Sequence, residues 1–154
     1  MVVRIASHFL ILFALAAACA PASSCPATTP NASTPPGETP SETHHGNGAL
    51  WTALWPDGEI IFSPDGPGEM RPDGSLAMKF PWWRAQGVEG AIKISGRRLD
   101  QPAGGSLTAE MPDGYGDTGF QASALVFPSE GCWEVAARAG EAELIFTVEA
   151  IIAD

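Results

Sequence analysis

The residue types that most often perform catalysis are scarce in the larger part of the chain. Residues 49–154 contain no histidine and a single cysteine, Cys132. A Ser-His-Asp or Cys-His arrangement therefore cannot be assembled within them, and they also lack the Cys and His ligands of a zinc site. We expect no catalytic, cofactor-binding or metal-binding residues, and hence no enzyme.

Paired carboxylates are a catalytic arrangement that this composition still allows. Sixteen Asp and Glu lie in residues 49–154, and two facing carboxylates are enough for glycoside hydrolysis. No feature of the sequence marks two of them as buried and opposed, so we expect solvated strand faces and turns. Pro-Asp-Gly tripeptides at 56–58, 64–66, 72–74 and 112–114 predict turns. A calcium site is the alternative, but these Asp residues belong to separate turns.

Aromatic side chains are the best candidates for binding. Of the five tryptophans, Trp82 and Trp83 are adjacent, and neighbours on an extended chain point to opposite faces. We expect one of them to be exposed beside Arg84, where a cation–π contact can form. Trp82, Trp83 and Arg84 are therefore the candidate ligand or partner surface. A plug at the end of the fold, a protein interface and a platform for sugar rings are the three interpretations.

The elements that must position these residues are β-strands, because apolar runs alternate with Gly, Pro and Asp turns about every ten residues. The chain length allows one compact domain, for which we predict an all-β, immunoglobulin-like β-sandwich of seven or eight strands over residues 49–154. The immunoglobulin-like part of this prediction comes from residues 127–135, which look like an immunoglobulin-like corner. There Trp133 should donate its indole N–H to nearby backbone. The predicted strands are Leu50–Leu54, Glu59–Phe62, Ser75–Phe80, Ala91–Ser95, Ser106–Met111, Gly119–Phe127, Cys132–Arg138 and Glu143–Ile151.

The N-terminus has the features of an export signal. Arg4 precedes an unbroken apolar run of ten residues, Phe9 to Ala18, which is too short to span a membrane and typical of a signal peptide. Residues 15–19, Leu-Ala-Ala-Ala-Cys, resemble a bacterial lipobox. We predict a signal peptide over 1–18 and lipidation of Cys19, with lipidation of Cys25 or simple secretion as alternatives. The expected location is extracytoplasmic and membrane-anchored.

A linker is expected between the anchor and the domain. Residues 26–48 contain five prolines and no large apolar residue, so we predict that residues 19–48 form a disordered, lipid-anchored tether reaching roughly 40–60 Å. Two adjacent histidines, His44 and His45, can bind a metal loosely, but with no fixed third ligand nearby we expect solvated linker residues. Cys132 is expected to be a buried free thiol; a disulfide to Cys25, and intermolecular or reactive chemistry, are the alternatives.

The charge balance excludes one class of partner. The chain has 8 basic and 18 acidic residues and a formal charge of −10, whereas nucleic-acid binding requires clustered Lys and Arg. Removing residues 1–18 leaves seven basic and eighteen acidic residues, a charge of −11. An acidic domain is repelled by anionic headgroups, so we expect it to stand off the membrane on its tether.

Two C-terminal segments carry a resemblance. Gly114-Tyr-Gly-Asp-Thr-Gly-Phe-Gln121 followed by Phe127-Pro-Ser-Glu-Gly-Cys-Trp-Glu-Val135 looks like a recurring signature of small, uncharacterised bacterial lipoproteins. The segments 79–84 and 96–100 are similar to parts of the same group, and the resemblance covers about residues 50–150. It implies a compact exported domain and no particular activity.

The sequence thus predicts a non-catalytic lipoprotein domain, at the cell surface or in the periplasm, that acts as a binding or accessory subunit. A carbohydrate-binding module that uses exposed tryptophans is the alternative. The expected partners are the membrane, through the N-terminal lipid, and either a protein or a glycan. No cofactor is expected.

Overall fold

A computed structural model describes residues 24–153 of the chain. All regular structure in this range is β-strand, because runs with two-residue alternation are separated by turn residues. The predicted signal peptide, residues 1–18, and the predicted lipidation site, Cys19, lie outside the described residues. The strands are β1 His44–Gly46, β2 Leu50–Ala53, β3 Glu59–Phe62, β4 Glu69–Met70, β5 Leu76–Arg84, β6 Lys93–Arg98, β7 Ser106–Glu110, β8 Phe120–Phe127, β9 Gly131–Ala139 and β10 Ala142–Ile152.

The ten strands form one sheet that curls into two layers. Its order is β1-β2-β5-β8-β7-β6-β9-β10-β3, with β4 paired to β5, and every pair is antiparallel except β10 with β3. We call β1, β2, β4, β5, β8 and β7 the first layer, and β6, β9, β10 and β3 the second. The all-β sandwich prediction is confirmed, and β1 and β4 are added to the eight predicted strands. The immunoglobulin-like assignment stays a prediction.

Aromatic side chains from both layers meet in the core. Phe80 of β5 stacks on Phe146 of β10 with ring centroids 6.1 Å apart, and Phe127 of β8 meets Trp133 of β9 at 5.9 Å. The indole Nε1–H of Trp133 donates to the carbonyl oxygen of Ser129 at 3.2 Å, which confirms the predicted backbone bond at this corner. Further fully buried members of the core are Leu50, Leu54, Ile60, Phe62, Leu76, Trp82, Leu125, Val135 and Val148.

The Pro-Asp-Gly tripeptides form the predicted turns. Gly58, Gly74 and Gly114 have φ values of +69°, +86° and +95°, a region that glycine enters without steric cost. The amides of Gly58 and Gly74 close their turns on the carbonyl oxygens of Trp55 and Arg71. In the described residues no three His, Cys, Asp or Glu side chains are grouped so that they could hold a metal ion.

The prediction of a disordered linker over residues 26–48 is wrong, because this segment is bound to the sandwich. The amide of Thr28 donates to the carbonyl oxygen of Thr147 at 2.8 Å, and the amide of Thr147 donates to the Thr28 hydroxyl at 2.9 Å. The side chain of Asn31 bonds both the amide and the carbonyl of Gly46. A polar, proline-rich chain can therefore be ordered through hydrogen bonds to an existing sheet, without burying large apolar residues of its own.

The histidines of this segment are part of the fold rather than solvated. His44 is 8% exposed and lies in β1, which pairs with β2, and its ring meets Trp83 edge-on at 5.6 Å. His45 is half-buried, and burial lowers its pKa. Within residues 24–153 the Nδ1 atoms of both rings are buried without a hydrogen-bond partner.

The favoured prediction of a free Cys132 thiol is also wrong. Cys132 forms a disulfide with Cys25, with a Cα–Cα distance of 5.4 Å and a sequence separation of 107. The disulfide alternative holds because the hydrogen bonds between Thr28 and Thr147 lay the N-terminal segment along β10. In β10, Glu149 is the register partner of Cys132, so the segment reaches β9 at the bonded position.

Candidate functional site

The first layer has an inner face toward the core and an outer face toward solvent. Successive side chains of β5 and of β8 alternate between these two faces. Trp82 pairs with Gln121, and Trp83 with Phe120. Because neighbours in a strand point to opposite faces, Trp82 and Gln121 lie on the inner face and Trp83 and Phe120 on the outer face. The expectation that the two tryptophans diverge is therefore confirmed.

Trp82 belongs to the core and is not part of a surface. It is 1% exposed, and its Nε1–H donates to the Ser123 hydroxyl at 2.9 Å. Its ring lies 5.9 Å from that of Phe80 and 6.1 Å from that of Phe146. The candidate surface of Trp82, Trp83 and Arg84 is wrong for Trp82, because the inner face of β5 is covered by the second layer.

Arg84 is not exposed either, and it makes no cation–π contact in the described structure. The residue is only 4% exposed. Its guanidinium donates to the carbonyl oxygens of Gly90 at 2.7 Å, Gly116 at 2.8 Å and Thr118 at 3.1 Å. Burial lowers the pKa of Arg84, and the nearby Asp117 carboxylate opposes that shift. Arg84 thus holds two neighbouring loops in place instead of contacting a partner.

Trp83 is the one member of the predicted surface that reaches the outer face. Its half-buried ring meets Phe120 at a centroid distance of 5.4 Å, and Phe120 meets Tyr115 at 5.9 Å. Phe120 is 45% exposed and Tyr115 39%, and the Nε1–H of Trp83 donates to Glu38 at 3.0 Å. We call Trp83, Phe120 and Tyr115 the aromatic patch.

The aromatic patch continues into two shallow concavities on the outer face, which we call the trough. The larger has a volume of about 370 Å³ and the smaller about 280 Å³. Lys79 lines both, Tyr115 lines the larger and Trp55 the smaller. The remaining lining residues are Thr43, Ala53, Leu54, Pro56 and Pro81 for the smaller concavity, and Glu110, Met111, Pro112, Ala122, Ser123 and Ala124 for the larger.

Among the described residues that line the trough, Glu110 is the one carboxylate, and no second carboxylate faces it. Glu110 accepts two hydrogen bonds from Arg71, at 2.7 and 2.8 Å, and this interaction holds the pKa of Glu110 below its ordinary value. Lys79 belongs to none of the ion pairs found among residues 24–153. The groups available here are therefore an ammonium donor, an Arg-bound carboxylate and apolar or aromatic walls, which suit binding.

The sequence did not single out Tyr115, Phe120 or Lys79. Their proximity to Trp83 and Trp55 depends on the register of β5 against β8 and on the path of the loop before β8, neither of which a one-chain pattern encodes. Two early signals exist. All three residues lie in the segments 79–84 and 114–121, which carry the resemblance, and Phe120 is an apolar residue on the face of β8 opposite to Gln121 and next to a glycine-rich loop.

Comparisons with known proteins provide no relative. No protein-family model matches the chain, and neither a curated protein nor a solved structure matches it. In residues 24–153 no helix is long and apolar enough to cross a membrane.

Proposed function

We propose that this chain is an exported, lipid-anchored, non-catalytic domain that binds a protein partner through the aromatic patch and so acts as a binding or accessory subunit. The observation that carries the proposal is the patch itself. Three aromatic side chains, Trp83, Phe120 and Tyr115, form one continuous row on the outer face, and two of them are more than a third exposed.

The clustering is what favours binding over chance exposure. Single exposed apolar residues such as Ile145, at 49%, are ordinary on a protein surface, whereas grouped aromatics mark interaction sites. Trp and Tyr are also the residues that dominate binding energy at protein interfaces. Arg84 supports this role, because its bonds to Gly116 and Thr118 hold the loop that carries Tyr115 in one position.

The disulfide supports the export part of the proposal and bears on the choice of lipidation site. Disulfides persist in oxidising, extracytoplasmic compartments, which agrees with the predicted signal peptide. The sulfur of Cys25 is bonded to Cys132 and cannot also carry a lipid. Cys19 is therefore the better of the two candidate lipidation sites.

The test is affinity purification of the tagged full-length protein from its own gently solubilised membranes, followed by mass spectrometry of bait and co-purifying proteins. We expect a stoichiometric partner with the wild type and its loss in a Tyr115→Ser, Phe120→Ser double variant. Ile145→Ser, on the second layer, is the matched control because its exposure is similar. Equal recovery from all three chains would contradict a partner site at the aromatic patch.

A glycan is the second candidate partner, and the trough is the observation that favours it. Sugar rings present C–H faces to aromatic side chains while their hydroxyl groups remain in water, which suits an open site with Trp55 and Tyr115 at separate positions. Lys79 and Glu110 supply one donor and one acceptor for hydroxyl groups. Their opposite charges, together with the net charge of −10, favour a neutral oligosaccharide over a polyanion.

Titration with neutral and acidic oligosaccharides tests this alternative, with heat and tryptophan fluorescence as readouts. Binding of neutral sugars that is lost in Trp55→Ala and weakened in Lys79→Gln would establish the trough as the site. Lys93→Gln, a lysine in β6 of the second layer, is the control for charge. Unchanged heat with every sugar would leave the protein partner as the proposal.

A further inference from the structure

We propose that the end of the sandwich that contains Cys132 faces the membrane and is held close to it, so that the aromatic patch points away from the bilayer. This inference rests on the proposed anchoring through Cys19. It replaces the expected long tether with a short one and assigns a membrane-facing surface to the fold.

The first step is where the chain leaves the domain. The disulfide to Cys25 fixes the start of the described chain to β9, and Ser24 lies in a small concavity with Leu99 and Asp100. The amide of Leu99 donates to the carbonyl oxygen of Cys132 at 2.8 Å. The exit point is therefore the end of the sandwich formed by the turns 99–105 and 128–130, which we call the exit end.

The second step is the length of chain that remains. Ser24 follows Cys19 by five residues, and an extended chain spans at most ~3.6 Å per residue, so the exit point cannot lie more than about 18 Å from Cys19. Residues 26–48 do not lengthen the connection between Cys19 and the domain, because Thr28, Asn31 and Ser33 are hydrogen-bonded to Thr147, Gly46 and Trp51.

The third step is the charge of the exit end. Its turns contain Asp100 and Glu130, and the neighbouring loops before β4 and β5 contain Asp65 and Asp73. In residues 24–153 Asp100 is the one of these four that forms an ion pair, with Arg98, while Arg71 in the loop before β5 is paired with Glu69 and Glu110. Anionic headgroups repel such a surface over a Debye length of about 8 Å at physiological salt. The exit end is therefore expected to remain outside the bilayer without inserting. Its distance from the headgroups should lie between the Debye length of about 8 Å and the maximum chain length of about 18 Å.

The last step is the position of the aromatic patch. Phe120 begins β8 and Phe127 ends it, beside the turn 128–130, and seven residues of strand cover about 24 Å. Trp83 is the register partner of Phe120. The aromatic patch is thus at the opposite end of the sandwich from the exit point, where a partner or a glycan chain meets it without obstruction by the lipid surface.

The experiment uses the lipidated full-length protein in vesicles that carry an acceptor dye on the headgroups. A donor fluorophore is introduced as an unnatural amino acid at Gln101, in the exit end, or at Gln86, an exposed glutamine in the turn after β5. A separation of about 20 Å along the strands predicts energy transfer at least about twofold more efficient from Gln101. Removing the disulfide with a Cys25→Ser, Cys132→Ser double variant should reduce energy transfer from a donor at Gln101.

Each other outcome counts against one claim or both. Equal transfer from the two positions, or stronger transfer from Gln86, in a chain that mass spectrometry shows to be lipidated on Cys19 overturns this inference alone. A mature chain without lipid on Cys19 overturns both the inference and the proposed anchoring. Transfer from Gln101 that is unchanged by the double variant shows that the disulfide does not set the distance.

Discussion

Arg84 Nη2 lies 2.8 Å from the carbonyl oxygen of Gly116, so a buried guanidinium in β5 holds the loop that carries Tyr115. No carboxylate lies within ion-pair distance of Arg84 among residues 24–153, and backbone carbonyl groups take that place. A charged side chain is therefore used to fix the geometry of the aromatic patch from inside the fold.

Replacing Arg84 with Met should destabilise the domain by about 2–4 kcal/mol, because several carbonyl groups lose a charged donor at once. Arg97→Met is the control, since Arg97 pairs with Glu134 on the surface and exposed pairs contribute less than about 1 kcal/mol. Chemical denaturation measures both variants. The rate of amide hydrogen exchange in residues 112–119 should rise in the Arg84 variant alone. Similar denaturation midpoints for the two variants would contradict the role of Arg84.

Reduction of the disulfide between Cys25 and Cys132 should lower the free energy of unfolding by roughly 2–5 kcal/mol, because the bond closes a loop of more than a hundred residues in the unfolded chain. Denaturation with and without a thiol reductant measures the effect. The Cys25→Ser, Cys132→Ser double variant should have the same free energy of unfolding as the reduced protein, and the reductant should not change it. A wild-type midpoint that does not move in reductant would show that the bond carries no stability.

Stability should fall as pH decreases below about 6.5, the ordinary value for histidine. Burial holds the pKa of His45 below that value, so the unfolded chain takes up the proton before the folded chain does, and protonation favours unfolding. The slope is bounded at about 1.4 kcal/mol per pH unit for one such group. Urea titrations from pH 7.5 to 5.5 measure it, and His45→Gln should flatten the dependence.

This pH window separates His45 from the carboxylates. The hydrogen bonds from Arg98 hold the pKa of Asp100 below its ordinary value of 3.8, so its contribution is present above that value and is lost only at lower pH. A slope between pH 7.5 and 5.5 that persists in His45→Gln would therefore assign the effect to another group.

The strands were predictable because their signal is local. In β10 the side chains of Leu144, Phe146 and Val148 alternate with exposed or half-buried neighbours, and a period of two is visible in the sequence itself. The same holds for the opposed faces of Trp82 and Trp83, which follow from adjacency alone.

The site was not predictable to the same degree because its contacts are not local. Trp83 meets Phe120 across 37 residues, through the register of β5 with β8. The order of residues 26–48 depends on bonds that Thr28 and Asn31 make to an already formed sheet. Composition alone predicts disorder for such a segment. Because Cys25 was expected to lie beside a disordered tether, a free Cys132 thiol was favoured over the disulfide that forms.

The two adjacent tryptophans give the sharpest test of the face assignment on which the aromatic patch depends. Trp82→Phe removes a buried hydrogen bond to Ser123 and leaves its hydroxyl unpaired, which should cost about 1–3 kcal/mol. Trp83→Phe removes a bond to the exposed Glu38 and should cost less than about 1 kcal/mol, since solvent replaces the partner. Guanidinium denaturation of both variants measures the difference. A larger loss for Trp83→Phe than for Trp82→Phe would place Trp83 in the core and remove it from the proposed binding surface.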